Sequence, residues 1–169
     1  MAIVDSFLFT LMLITALGCG LIAGLFFAFS VAVMQALARL PAAGGIAAMQ
    51  SINTVILNPL FLSVFLGTAA GCVLVMLTAL TRWRSPGSVY LFVGGALYLV
   101  GSLLVTVVCN VPKNDALASV APADPDSAGL WARYLASWTT WNHVRTVASL
   151  ASLASLILGL CYWCATRSH

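Results

Sequence analysis

Four long stretches of this chain carry no charge: residues 6–38, 40–81, 85–112 and 146–166 hold no Asp, Glu, Lys or Arg. About 20 apolar residues suffice for a helix to cross the hydrocarbon core of a bilayer, and each stretch is long enough. In lipid the backbone must satisfy its own hydrogen bonds, so such stretches become helices. The 169 residues are 62% hydrophobic and only 7% charged, against about 25% charged in a soluble domain. That is too little charge to cover a water-facing surface, and the apolar content excludes disorder. The net charge of +3 is dispersed, with no basic cluster suited to nucleic acid. The expected fold is all-α: a single membrane domain over residues 1–169, a four-helix bundle in the lipid bilayer.

Prolines and glycines divide the runs into spans expected near 6–38, 60–81, 88–110 and 140–164. The first run lacks the basic start and short apolar core of a signal peptide. Its length exceeds a roughly 30 Å core, so it should tilt or protrude. Gly20, Gly24 and Ala28, and again Gly67 and Gly71, recur every four residues. Such stripes let helices approach closely, within one chain or in a homo-oligomer. Pro41, Gly44 and Gly45 precede, and Asn58-Pro59 closes, a short segment at 46–57, expected as an interfacial or re-entrant helix. Arg82 to Gly87 reads as a tight polar turn. Pro112 is expected to end the third span and open a polar loop over 111–139, with a short helix near 128–137. Thr139 or Thr140 would then cap the last span.

Four crossings place both termini on the side of the 82–87 turn. Basic residues are nearly balanced: Arg82, Arg84 and Arg167 on that side, Arg39, Lys113, Arg133 and Arg145 on the other. The short basic turn, set against a long loop carrying three Asp, assigns the termini to the cytoplasm. For a bacterial chain the membrane would be the cell membrane.

Acid–base candidates are few. There is no Glu, and Asp5, Asp124 and Asp126 fall in terminal or loop sequence. Asp115 and His143 remain, near the same membrane boundary. His143 sits in Trp138-Thr-Thr-Trp141-Asn142-His143-Val-Arg145. Arg145 continues into Ala148, Ser152, Ser155 and Gly159, a small-residue stripe that turns the arginine into the bundle. On a regular helix His143 lies about 160° away from Arg145, so the two should not meet at one ligand atom. Trp138 and Trp141 also suit an interfacial aromatic belt. Around Pro112, Asn110, Asn114 and Asp115 can bond freed carbonyls or a ligand. Gln50 and Asn53, three residues apart, share a helix face and reach the same boundary.

The five cysteines, Cys19, Cys72, Cys109, Cys161 and Cys164, lie in or beside apolar runs and read as small hydrophobes. Cys161-x-x-Cys164 has metal-site spacing but no second pair. One interior His offers a single haem ligand without an attachment motif. No nucleotide-binding glycine pattern occurs. No cofactor is expected, with haem and metal left open.

Several segments resemble the anthrone oxygenase-like DUF1772 membrane family. They are Phe26-Phe27-Ala-Phe29-Ser30, Met49-Gln50-x-Ile52-Asn53, Asn58-Pro59-x-Phe61, Asn110-Val-Pro112-x-Asn114 and Trp138-x-x-Trp141-Asn142-His143-x-Arg145. The resemblance implies a four-helix membrane protein, and some members are linked to cofactor-independent oxidation of anthrones to anthraquinones. For that chemistry a base removes an acidic C–H, donors hold the enolate oxygen, and O2 attacks the enolate. His143 would be the base. Arg145, Asn142 and Asp115 would complete the catalytic set. Asn110, Asn114, Asn53 and Gln50 would contact the substrate, and Trp138, Trp141 and Phe27 would stack on a flat ring. The alternative is a non-catalytic membrane protein that binds a hydrophobic small molecule or a membrane partner.

Overall fold

The computed structural model describes residues 2–124 and 127–165, and side chains from Asp5 onward. Asp126 and Arg167 lie outside the described residues. Helices α1 (Ala2–Ala28) and α2 (Met34–Ala38) form one rod through a π-wound segment at Phe29–Val33. Helix α3 (Ala42–Val55) turns back, and α4 (Pro59–Thr81) crosses beside α1. Helix α5 (Ser88–Tyr98) continues through π-wound segments at Leu99–Leu104 and Thr106–Asn110 into α6 (Val111–Ala118). Helix α7 (Ser127–Ala165) runs the length of the molecule. No strand occurs among the described residues. Four helical rods, Asp5–Ala38, Pro59–Thr81, Ser88–Ala118 and Ser127–Ala165, are long and apolar enough to cross a membrane. The chain is a multi-pass integral membrane protein.

The side chain of Asn58 caps α4 by accepting from the Phe61 amide at 3.0 Å, with Pro59 in the first helical position. Gly87, at φ +90, takes the left-handed conformation that closes the turn between α4 and α5. Arg82 Nη1 lies 3.7 Å from Asp5 Oδ1, and its guanidinium stands 5.1 Å from the centre of the Trp163 ring. The start of α1, the 82–87 turn and the end of α7 therefore share one end of the bundle.

Close helix approach rests on small residues, as packing in lipid requires. Ser152 Oγ donates to the Gly94 carbonyl at 2.7 Å and Ser155 Oγ to Tyr90 at 2.8 Å, binding α7 to α5. Between α1 and α4, Gly18 faces Thr68 and Gly71 faces Thr15, so closely that a Cβ on either glycine would collide with the facing hydroxyl. Gly24 and Gly67 instead face open space, so only part of each glycine stripe packs within the chain.

Two expectations require correction. Pro112 does not end the third rod. It occupies the first turn of α6, directly after the π-wound segment, where a missing amide hydrogen leaves no gap. The last rod likewise begins at Ser127, and residues 139–140 lie inside α7, so neither Thr139 nor Thr140 is a cap. The expected 111–139 loop is thus two helices joined by a short connection.

Two cores result. One fills the bundle around Met12, Cys19, Phe65, Cys72, Tyr98 and Leu156. The other lies in the part that extends past the start of α4. There α2, α3, α6 and the first half of α7 pack around Met34, Ile46, Met49, Leu117, Trp131 and Trp138. This second assembly is a helical cap on one end of the bundle. The short segment between the first two spans is accordingly α3, and it packs in the cap.

Candidate functional site

Arg145 occupies the seam between bundle and cap, with 4% of its surface exposed. Its Nη2 donates to Asn142 Oδ1 at 2.7 Å and its Nη1 to Thr106 Oγ1 at 3.2 Å. Phe26 and Trp138 lie against the guanidinium, with 4.2 and 5.1 Å to the ring centres. Aromatic faces attract a cation, the more so when water is excluded. No carboxylate pairs with it: among the described residues the one ion pair is Arg82–Asp5. Its Nε is buried with no hydrogen-bond partner.

Asn142 is spent on holding this arrangement. Its Nδ2 donates to the Phe26 carbonyl and to Ser30 Oγ, both at 2.7 Å, while Oδ1 receives Arg145. Among the described residues, two of the three π-wound segments meet this layer: Ser30 lies in one and Thr106 in another. π-helical turns inside α-helices are frequent at functional sites, where they reposition side chains.

A second network braces the cap. Asn114 Oδ1 accepts from Tyr134 Oη at 2.9 Å and from Trp138 Nε1 at 2.8 Å. Asn110, 1% exposed, donates from Nδ2 to the Trp138 carbonyl at 3.3 Å. Gln50 Nε2 donates to the carbonyls of Leu117 and Val120, both at 2.9 Å, tying α3 to the end of α6. The rings of Trp131, Tyr134 and Trp138 stack successively along α7, 5.5 and 6.3 Å apart.

These groups enclose a cavity of about 400 Å³. Phe26, Met49, Trp138 and Arg145 form its buried end; Thr54, Leu57, Val111, Asp115 and Ala118 line it while being exposed. Gln50, Asn53 and Asn114 supply amides to the wall, and Asn53 Nδ2 is buried without a partner. Arg145 and Asp115 are the ionisable side chains among its lining residues.

The sequence-predicted residues therefore divide. Arg145, Asp115, Asn114, Asn53, Gln50 and Trp138 come together at the cavity. Asn142 and Asn110 stand behind it as braces. His143, Trp141 and Phe27 are exposed on the outer surface and do not line it. His143 thus faces away from Arg145, as the helical angle predicts, and the geometry offers it no route to a ligand in this cavity. Phe26, not Phe27, meets the arginine, because α1 turns Phe26 inward with Cys19 and Ser30. Thr106 was not singled out in the sequence, though Ser102, Thr106, Asn110 and Asn114 recur every four residues along the third rod.

Among the described residues, no three His, Cys, Asp or Glu side chains converge. No curated protein and no solved structure matches the chain. A family profile described as anthrone oxygenase does match, over residues 60–155, from α4 into the last third of α7. That is more than half of the sequence, and the chain belongs to the anthrone oxygenase family.

Proposed function

We propose that the chain oxidises a flat, lipophilic phenol or ketone of the anthrone type with O2, and that Arg145 holds the oxygen on which negative charge develops. One observation carries this reading: a cation buried without a carboxylate forms the floor of an apolar cavity. A donor already fixed in a dry site stabilises an oxyanion far better than water-exposed donors do. Asn142, Thr106, Phe26 and Trp138 fix it before substrate arrives.

An anthrone carries its ketone oxygen and its acidic CH2 on opposite edges of the central ring. With the oxygen at Arg145, the CH2 points towards the mouth, where Asp115 is the available carboxylate. Loss of a proton to that carboxylate leaves an enolate, with the C–H electron pair delocalised onto the oxygen. The enolate carbon then bonds to O2, and the peroxide anion so formed takes the proton back from Asp115. Collapse of the resulting hydroperoxide breaks the O–O bond and the second C–H bond, giving the quinone carbonyl and one water. The substrate loses four electrons and O2 gains them, so the reading invokes no cofactor. In place of the expected His143, Asp115 takes the proton.

The test is quinone formation from an anthrone, with oxygen uptake, in proteoliposomes above a protein-free control. Arg145→Met is expected to lower the rate about a hundredfold or more. An unchanged rate would remove Arg145 from the chemistry. The alternative, binding without turnover, is favoured by the outward placement of His143. It predicts saturable binding of a hydroxyanthraquinone with no oxidation above background. The termini are proposed to be cytoplasmic; proteolysis of a C-terminal tag in intact cells would reverse that assignment.

A further inference from the structure

We propose that the cavity is entered sideways from the bilayer, through a mouth between the end of α3 and the outer face of α6, so that the membrane itself delivers the ligand. The inference rests on the reading of the cavity as a ligand site.

The depth of the mouth follows from helix geometry. Helix α4 has 23 residues, about 35 Å at 1.5 Å each, which matches the roughly 30 Å hydrocarbon core at a tilt of about 30°. Its first residue, Pro59, therefore marks a membrane boundary. Val111 stands 23 residues beyond Ser88, the first residue of α5, and so no more than about 35 Å along its own rod, the π-wound turns shortening it slightly. Leu57 and Val111 thus lie at one level, the edge of the hydrocarbon. Asp115 is one turn farther out, about 6 Å into the headgroup region. Arg145 is 18 residues from Trp163, which meets Arg82 at the opposite boundary, so it lies about 27 Å from that boundary and just inside the core.

Side-chain character matches those levels. Val111, Asp115 and Ala118 form one stripe on α6, with an apolar residue inward and the carboxylate outward. Leu57 is 64% exposed although it lines the cavity, and Val55 and Leu60 beside it are 67% and 77% exposed. A turn this apolar would be unfavourable in water, and at the edge of the hydrocarbon it is solvated by acyl chains. The mouth is therefore amphipathic across its height. A flat lipophile with one polar edge partitions to that depth, as interfacial tryptophans and tyrosines do. It can slide in without crossing water.

The experiment uses a monohydroxyanthraquinone as probe and quenching of tryptophan fluorescence in proteoliposomes as readout. If the bilayer supplies the ligand, occupancy follows its mole fraction in lipid. Raising lipid about fivefold should raise the apparent half-saturation, expressed as total probe, about fivefold. Leu57→Lys and Val111→Lys place a charge at the hydrocarbon edge and should each weaken binding about tenfold, with the quenching at saturation retained. Ser51→Lys, on the exposed face of α3 and outside the cavity lining, should bind like the parent. Half-saturation that ignores lipid content, or lysine variants that bind normally, would overturn lateral entry. The two readings fail separately. Lipid-dependent probe binding without anthrone oxidation removes the catalytic reading alone, while oxidation with a lipid-independent KM removes the lateral mouth alone.

Discussion

Arg145 and His143 are two residues apart, and the helix sends them to opposite environments. The arginine is gripped by Asn142 and Thr106 and flanked by two rings, whereas the histidine is exposed. His143→Ala is accordingly expected to keep anthrone oxidation within about twofold, since exposed substitutions rarely disturb a structure. A loss as large as that of Arg145→Met would return the histidine to the mechanism. Asn142 acts through the arginine. Asn142→Leu leaves the arginine Nη2 without its partner in a buried layer, at about 3 kcal/mol or more. Its expected signature is a lower midpoint of thermal unfolding together with reduced turnover, and Asn142→Gln should recover part of both.

At the scale of elements, the packing between α1 and α4 depends on reciprocal glycines. Gly71→Val would drive a side chain into Thr15 and separate the two helices, at about 1–3 kcal/mol. Gly67→Val, facing open space, should be neutral, and comparing their unfolding midpoints checks the assignment. The glycines at 67 and 71 look equivalent in the sequence, because spacing alone does not say which turn of a helix meets a neighbour. Inward phase was more legible on α1. Thr15, Cys19 and Ser30 interrupt an apolar run on one face, and that face carries Phe26. The third rod continues through Pro112 for a local reason. Proline removes one amide hydrogen, but the π-wound turns before it let the rod continue.

Across the whole molecule, bundle and cap are separate cores that share the long rods, and the cavity forms where they meet. Gly45 lies under Trp131, where a Cβ would come within 2.8 Å of the indole ring. Gly45→Val should therefore loosen the cap and open the cavity wall while the bundle remains folded. Limited proteolysis is expected to cut near the α3 or α6 ends sooner, with near-unchanged helicity by circular dichroism. Uniform loss of helicity would show that cap and bundle fold as one unit. The bundle was readable in advance because lipid imposes its rule on any long apolar run. The cap was not, since its helices are short, mixed in polarity and stabilised by contacts distant in sequence, such as Gln50 with Leu117.

Composition and the spacing of charges determined that this chain spans a membrane four times as helices, and the small-residue stripe beyond Arg145 determined that the arginine turns inward. These follow from local rules: backbone hydrogen bonding in hydrocarbon and the 3.6-residue turn. Which polar residues meet was decided by tertiary structure alone. Arg145 reaches Thr106, and Asn114 reaches Tyr134 and Trp138, across distances in sequence that no periodicity encodes. The cavity is the space left where those separate helices fail to fill the seam, and it exists only once they have packed.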